Sequence, residues 1–149
     1  DPSVVVRSAE QAAASGAAVT MAVYALEYAA DLHDPSVVKV VRGHDGRVLY
    51  CSRSAIPHVR DAPADRWTER APCLGHSGIY AYSRAFLHDF AGLPASPLEE
   101  AERLEQLRWL EAGLHVHSFR VEPQGPSVDT PQQLERVRAA FVEREGQPA

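Results

Sequence analysis

Lysine is nearly missing from this chain: of its fifteen basic side chains only Lys39 is a lysine, and the rest are arginines. Acidic residues outnumber basic ones by twenty to fifteen, and the net charge of -5 removes the electrostatic case for nucleic-acid binding. No apolar run approaches the length that spans a membrane. The opening stretch, "DPSVVVRSAEQ", does not read as a signal peptide. Cysteine is scarce. Cys51 and Cys73 lie far apart, in no metal-like or redox-like spacing, and are expected to be small buried hydrophobes in a reduced, cytoplasmic compartment. There is no glycine-rich phosphate loop, no internal repeat and no low-complexity segment. What is present is a globular balance, 45% hydrophobic and 23% charged, over 149 residues, about one domain in length.

Helical and strand patterns alternate along the chain. "PSVVVRSAEQAAAS" is a predicted helix stopped by Gly16, and "AAVTMAVYAL" a buried strand. "YAADLHDP" reads as a connector closed by Pro35. "SVVKVVRG" and "RVLYCSR" flank Asp45-Gly46, a strong hairpin signal. From Pro57 to Pro72 the chain is polar and proline-broken, as in a long functional loop. "HSGIYAY" is β-rich, "SRAFLHDFAGL" a short helix and "LHVHSFRVE" a last strand. "VDTPQQLERVRAAFVERE" is a last helix, with Thr130 as cap and Gln133 closing a capping box. The fold class expected is α/β with a mixed sheet, one unit over 1–149, with 145–149 a frayed tail.

"SPLEEAERLEQLRWLEAG" reads as one surface helix, capped by Ser96 and Glu99 with Pro97 in its first turn and stopped by Gly113. Within it Leu98, Ala101 and Glu105 fall on one stripe. Periodicity thus predicts a partly desolvated Glu105 carboxylate with a partner or a task, and Gln106 at the border of that face. An ion pair with a nearby arginine is the structural alternative.

Five stretches in order, "DPSVVKVV", "LYCSRSAIPHVRD", "HSGIYAYSRAFL", "SPLEEAERLEQLRWLEAG" and "VDTPQQLERV", resemble the 3-deoxy-manno-octulosonate (Kdo) cytidylyltransferases. The resemblance covers nearly the whole chain from about residue 17. It implies a nucleotide-diphospho-sugar transferase-like (Rossmann-like) fold, and transfer of the cytidylyl group of CTP to Kdo for lipopolysaccharide assembly. It also implies Mg²⁺ as cofactor and a homodimer.

Site residues carry over one by one. Arg53 in "SRS" is expected near the sugar-acid pocket, where a guanidinium suits a carboxylate; its structural alternative is loop closure. Arg60 in "PHVRD" is expected in the mobile loop that follows. His76 and Tyr80 in "HSGIY" are expected to line the Kdo site, and Glu105 and Gln106 to contact sugar hydroxyls. Asp129 in "VDTP" is implied as catalytic metal ligand; a turn feeding the last helix is its plainer role.

Three positions depart from the family's pattern: Cys51 for phenylalanine, Ser127 for glycine, and Gly75 for a basic residue before His76. The Gly75 change is expected to weaken binding of an anionic sugar. The family's amino-terminal arginine–lysine phosphate loop and its "QGDEP"-like segment with a second metal aspartate are not in the 149 residues. Lys39, in a strand pattern, is no substitute. The expectation is therefore a carboxy-terminal half, carrying most sugar contacts but not the nucleotide pocket, and inactive alone. Two other readings stay open: a synthetase for a Kdo variant such as the 8-amino sugar, and a non-catalytic sugar-acid-binding or dimerisation module.

Overall fold

The structure is a computed structural model, described here for residues 2–90 and 92–123 and for positions 131, 134, 135 and 137–139. Helix α1 (Ser3–Ser15) ends at Gly16, whose φ of +62° is the left-handed stop expected there. Strand β1 (Val19–Ala25) follows, and its first five residues are fully buried. The predicted connector holds a single helical turn, α2 (Ala29–His33). Strands β2 (Lys39–Arg42) and β3 (Val48–Ser52) form the expected antiparallel hairpin. The Pro57–Pro72 segment is not wholly loop. It contains a 3₁₀ turn (Ala64–Arg66) and α3 (Trp67–Arg70), because Trp67 is pinned in a small cluster with Leu26, Leu32 and Cys73. Strand β4 (Leu74–Tyr82), helices α4 (Arg84–Phe90), α5 (Pro97–Glu102) and α6 (Gln106–Glu111), and strand β5 (Val116–Arg120) complete the order.

The sheet runs β3-β2-β4-β1-β5. Among the described strands β1 and β5 are parallel neighbours and the other pairs are antiparallel, so the sheet is mixed as expected. Helix α1 covers one face through Val4, which meets Ala22, Phe119 and Val121. The opposite face carries the main core: Val19, Met21, Val23 and Val116 of the sheet pack with Phe86 of α4 and with Leu104, Leu107 and Trp109. Each such fully buried side chain contributes about 1.5–3 kcal/mol.

The hairpin joins β4 only at its base, through Lys39 opposite Gly75 and the His76 N–H to the Val38 carbonyl. Its tip reaches β5, where the Ser118 N–H donates to the Gly46 carbonyl at 2.8 Å. Gly46 is needed twice over: its φ is +86°, and a Cβ there would stand 2.5 Å from the His117 ring.

The single helix predicted over the "LEQLR" region is two. The break is at Arg103, in the left-handed region at φ 55°, followed by buried Leu104. The Ser96–Glu99 capping box forms with Pro97 at its first turn, and Gly113 (φ +75°) follows the end of α6. Arg108 reaches back from α6 to hold both oxygens of Glu99, at 2.6 and 2.7 Å, closing the angle between the helices. Positions 131, 134, 135 and 137–139 are helical, within the last predicted helix. Thr130, Gln133, Ser127 and the 145–149 tail lie outside the described residues.

Candidate functional site

Strand β4 carries the centre of the site. His76 and Tyr80 are four residues apart, about 13 Å in a regular strand. Here they face Val23 and Met21, only two residues apart on β1, because Ser77, Gly78 and Ile79 bulge opposite Ala22. Gly78 makes the bulge possible at φ +77°. The result puts the His76 and Tyr80 ring centroids 4.6 Å apart. Tyr80 in turn meets Trp109 edge-on at 5.4 Å and lies 5.7 Å from Tyr82.

These rings stand in an apolar setting, and it sets their protonation. Burial pushes the His76 imidazole down to about 4, so it is neutral at pH 7. Burial first, then the Glu105 charge, push the Tyr80 phenol well above its usual range. Burial and the Glu105 charge push the Tyr82 phenol up to about 12. Both phenols therefore stay protonated, and both feel the Glu105 carboxylate. Among the described residues three buried polar atoms have no hydrogen-bond partner: His76 Nε2, Ser77 Oγ in the bulge, and Trp109 Nε1. A buried donor or acceptor left unmade costs about 1–3 kcal/mol, which a polar ligand could recover.

Glu105 and Gln106 open α6, and their environments reverse the expectation. The stripe argument fails because the helix breaks before it reaches Glu105: Leu98 and Ala101 are exposed, and so is Glu105, the residue before the first turn of α6. Gln106 is the buried member, at 3% exposure. It shares with Trp109 the i, i+3 face that packs toward β4.

Arg53 takes the loop-closing arrangement. Its Nε donates to the Glu102 carbonyl at 2.8 Å, and its two terminal nitrogens donate to the carbonyls of Pro35 (2.9 Å) and Arg103 (3.3 Å). Of the five guanidinium N–H groups, two are left without a partner among the described residues. Arg60 is apart from the others, almost fully exposed beside Asp61 at 3.6 Å. Asp129 lies outside the described residues. Among the described residues no group of three or more His, Cys, Asp or Glu side chains is placed to hold a metal ion.

Lys39 is wholly buried, with its ammonium held by the carbonyls of Asp34 (2.7 Å) and Val37 (2.6 Å), so it is a structural residue, as its strand position suggested. Cys51 and Cys73 are free and buried, also as expected. Gly75 sits on the opposite face of β4 from His76. Successive residues alternate faces, and a Cβ on Gly75 would meet the Tyr24 ring at 2.7 Å, on the side of the sheet away from His76. A basic side chain there would not begin in the His76–Tyr80 site.

Sequence reading missed the bulge and Trp109. An isolated glycine inside the β-rich "HSGIYAY" was the available signal for the bulge. Trp109 gave only a helical apolar position.

A family model described as "Cytidylyltransferase" matches residues 1–119. The 3-deoxy-manno-octulosonate cytidylyltransferase of Escherichia coli is 47% identical over 115 residues, 77% of this chain and 44% of the relative. That of Leptothrix cholodnii is 46% identical over 132 residues, 85% of this chain and 48% of the relative. The chain spans about half the length of the curated relatives it matches. A solved structure of CMP:2-keto-3-deoxy-manno-octonic acid synthetase complexed with CTP aligns at a TM-score of 0.83 and 40% identity, covering 96% of this chain and 57% of that one.

Proposed function

The chain belongs to the cytidylyltransferase family, in its resemblance to the Kdo-specific members, and from that premise we propose that it supplies the sugar-acid side of a CMP-Kdo synthetase. In the reaction, the anomeric hydroxyl oxygen of Kdo attacks the α-phosphorus of CTP. The bond from that phosphorus to the bridging oxygen breaks, pyrophosphate leaves, and the hydroxyl proton passes to solvent. The observation that supports this reading is the bulge that sets neutral His76 beside Tyr80, whose phenol feels the Glu105 charge.

Each residue then has a task its chemistry allows. Neutral His76 and protonated Tyr80 exchange hydrogen bonds with sugar hydroxyls without adding charge. Glu105, exposed at the start of α6, accepts from hydroxyls, and the Gln106 amide both donates and accepts. The two N–H groups of Arg53 left open among the described residues suit the sugar carboxylate, and Arg60, which lies apart from the other site residues, enters the proposal through the family resemblance alone. Fixing the sugar lowers the barrier by orientation alone. Asp129 and Mg²⁺ remain part of the proposal through the family resemblance, as does a homodimer.

Calorimetric titration of the chain with Kdo tests the reading. Binding by the native chain, lost in Glu105→Ala, is expected; no binding by the native chain would refute it. Pyrophosphate release with CTP, Kdo and Mg²⁺ is the second arm. The chain alone should give none, because the arginine–lysine phosphate loop and second metal aspartate of the resemblance are not among its residues.

A further inference from the structure

We propose that Glu102 is a positioning residue, the half of a reciprocal clamp with Arg53 that holds the Glu105–Gln106 pair opposite His76 and Tyr80. The inference rests on the sugar-acid reading above. Glu102 is the last residue of α5. Its carboxylate accepts the Ser52 hydroxyl at 2.6 Å through one oxygen and the Arg53 N–H at 2.9 Å through the other. In return the Arg53 side chain takes the carbonyls of Glu102 and Arg103, two groups left open at a helix C-terminus. The same guanidinium holds Pro35, inside the 34–37 turn that buried Lys39 ties from the other side.

The clamp explains the helix break. Normally a carbonyl at the end of one turn is met by an amide four residues on, which would continue the helix through 105 and 106. Here the Glu102 and Arg103 carbonyls go to Arg53 instead. The Arg103 N–H completes the last regular bond of α5, to the Glu99 carbonyl at 2.7 Å, the chain takes a left-handed step at Arg103, and α6 restarts with its own first bonds, Leu107 to Leu104 and Arg108 to Glu105. A straight helix would carry Glu105 along the α5 axis. The break fixes both where α6 begins and which face it turns to β4. Glu102 touches none of the site residues on β4 in any hydrogen bond described, so its effect on a ligand runs through α6.

The test uses the 149-residue chain and two readouts. Amide hydrogen exchange reports the first turn of α6, and calorimetric titration reports Kdo binding. In Glu102→Ala the amides of Arg103, Leu107 and Arg108 should exchange about tenfold faster while those of β1 and β4 keep their rates, and Kdo should bind about tenfold more weakly. Glu102→Gln, which keeps one of the two acceptances, should fall between, and it carries the test if Glu102→Ala does not fold. Glu100→Ala, an exposed neighbour on α5, should change neither readout. Unchanged exchange at 103–108, or an equal rise in β1 and β4, would overturn the clamp. Faster local exchange with unaltered Kdo affinity would instead overturn the assignment of Glu105 and Gln106 to the sugar, and the positioning role with it.

Discussion

Acid should unfold this protein partly through one imidazole. His76 is held down to about 4 by burial, against an ordinary 6.5. The folded value is the depressed one, so as pH falls the unfolded chain takes up the proton first. Stability therefore rises with pH between about 4 and 6.5, and the contribution is flat above that window. At about 1.4 kcal/mol per unit, the full effect is about 3 kcal/mol, of which about 2 kcal/mol is already gone at pH 5. Urea titrations of the native chain and of His76→Asn, run between pH 7 and 5, isolate it. Burial also pushes His117 down, but that residue and the carboxylates are common to both proteins and cancel in the difference. The native-minus-variant stability should fall by about 2 kcal/mol over this range at unchanged m-value. A difference flat to within about 0.5 kcal/mol would show that His76 is not desolvated as the bulge requires.

Gly78→Ala should lower stability by about 1 kcal/mol in thermal melts, since the left-handed backbone strains an alanine that has open space around its Cβ, and Gly78→Asn should cost less. An Ala variant as stable as the native chain would mean that the bulge does not need glycine. Gln106→Ala should cost about 1–2 kcal/mol, because the side chain is buried, whereas Glu105→Ala should stay within about 0.5 kcal/mol; urea unfolding separates them, and equal costs would contradict the packing of α6. The Cys51 thiol, pushed up to about 12 by burial, should resist alkylation at pH 8 in the folded chain and react only on unfolding, as followed by mass spectrometry.

Local signals carried much of the fold. Gly16, the Asp45-Gly46 turn, the Ser96–Glu99 box and Gly113 all work within a few residues, and the structure bears each of them out. What escaped depends on distant residues. The break at Arg103 follows from Arg53, fifty positions earlier in the chain, competing for the carbonyls of α5; no helical periodicity encodes that. Periodicity then put Glu105 on the wrong face, since it assumed one continuous turn angle from Leu98 onward. The candidate residues on β4 came from resemblance, but the closeness of His76 and Tyr80 was not legible, because a strand of period 2 sets them too far apart until the bulge removes two residues from the count.

The faces of the sheet also decide which departures from the family bear on the sugar. A change at position 75 is one residue from His76 in sequence, yet it lies on the side where the Tyr24 ring fills the space over the glycine. Cys51 stands on the other side, a neutral buried thiol in the same core cluster as Trp109 and Tyr80. A phenylalanine there would be larger and would press on the layer that carries the Tyr80 and Trp109 rings. Of the two described departures, Cys51 is thus the one whose volume reaches the candidate site, and Gly75 the one that acts on packing against Tyr24. Distance along the chain ranks them the other way, because adjacent residues in a strand are further apart chemically than residues that share a face.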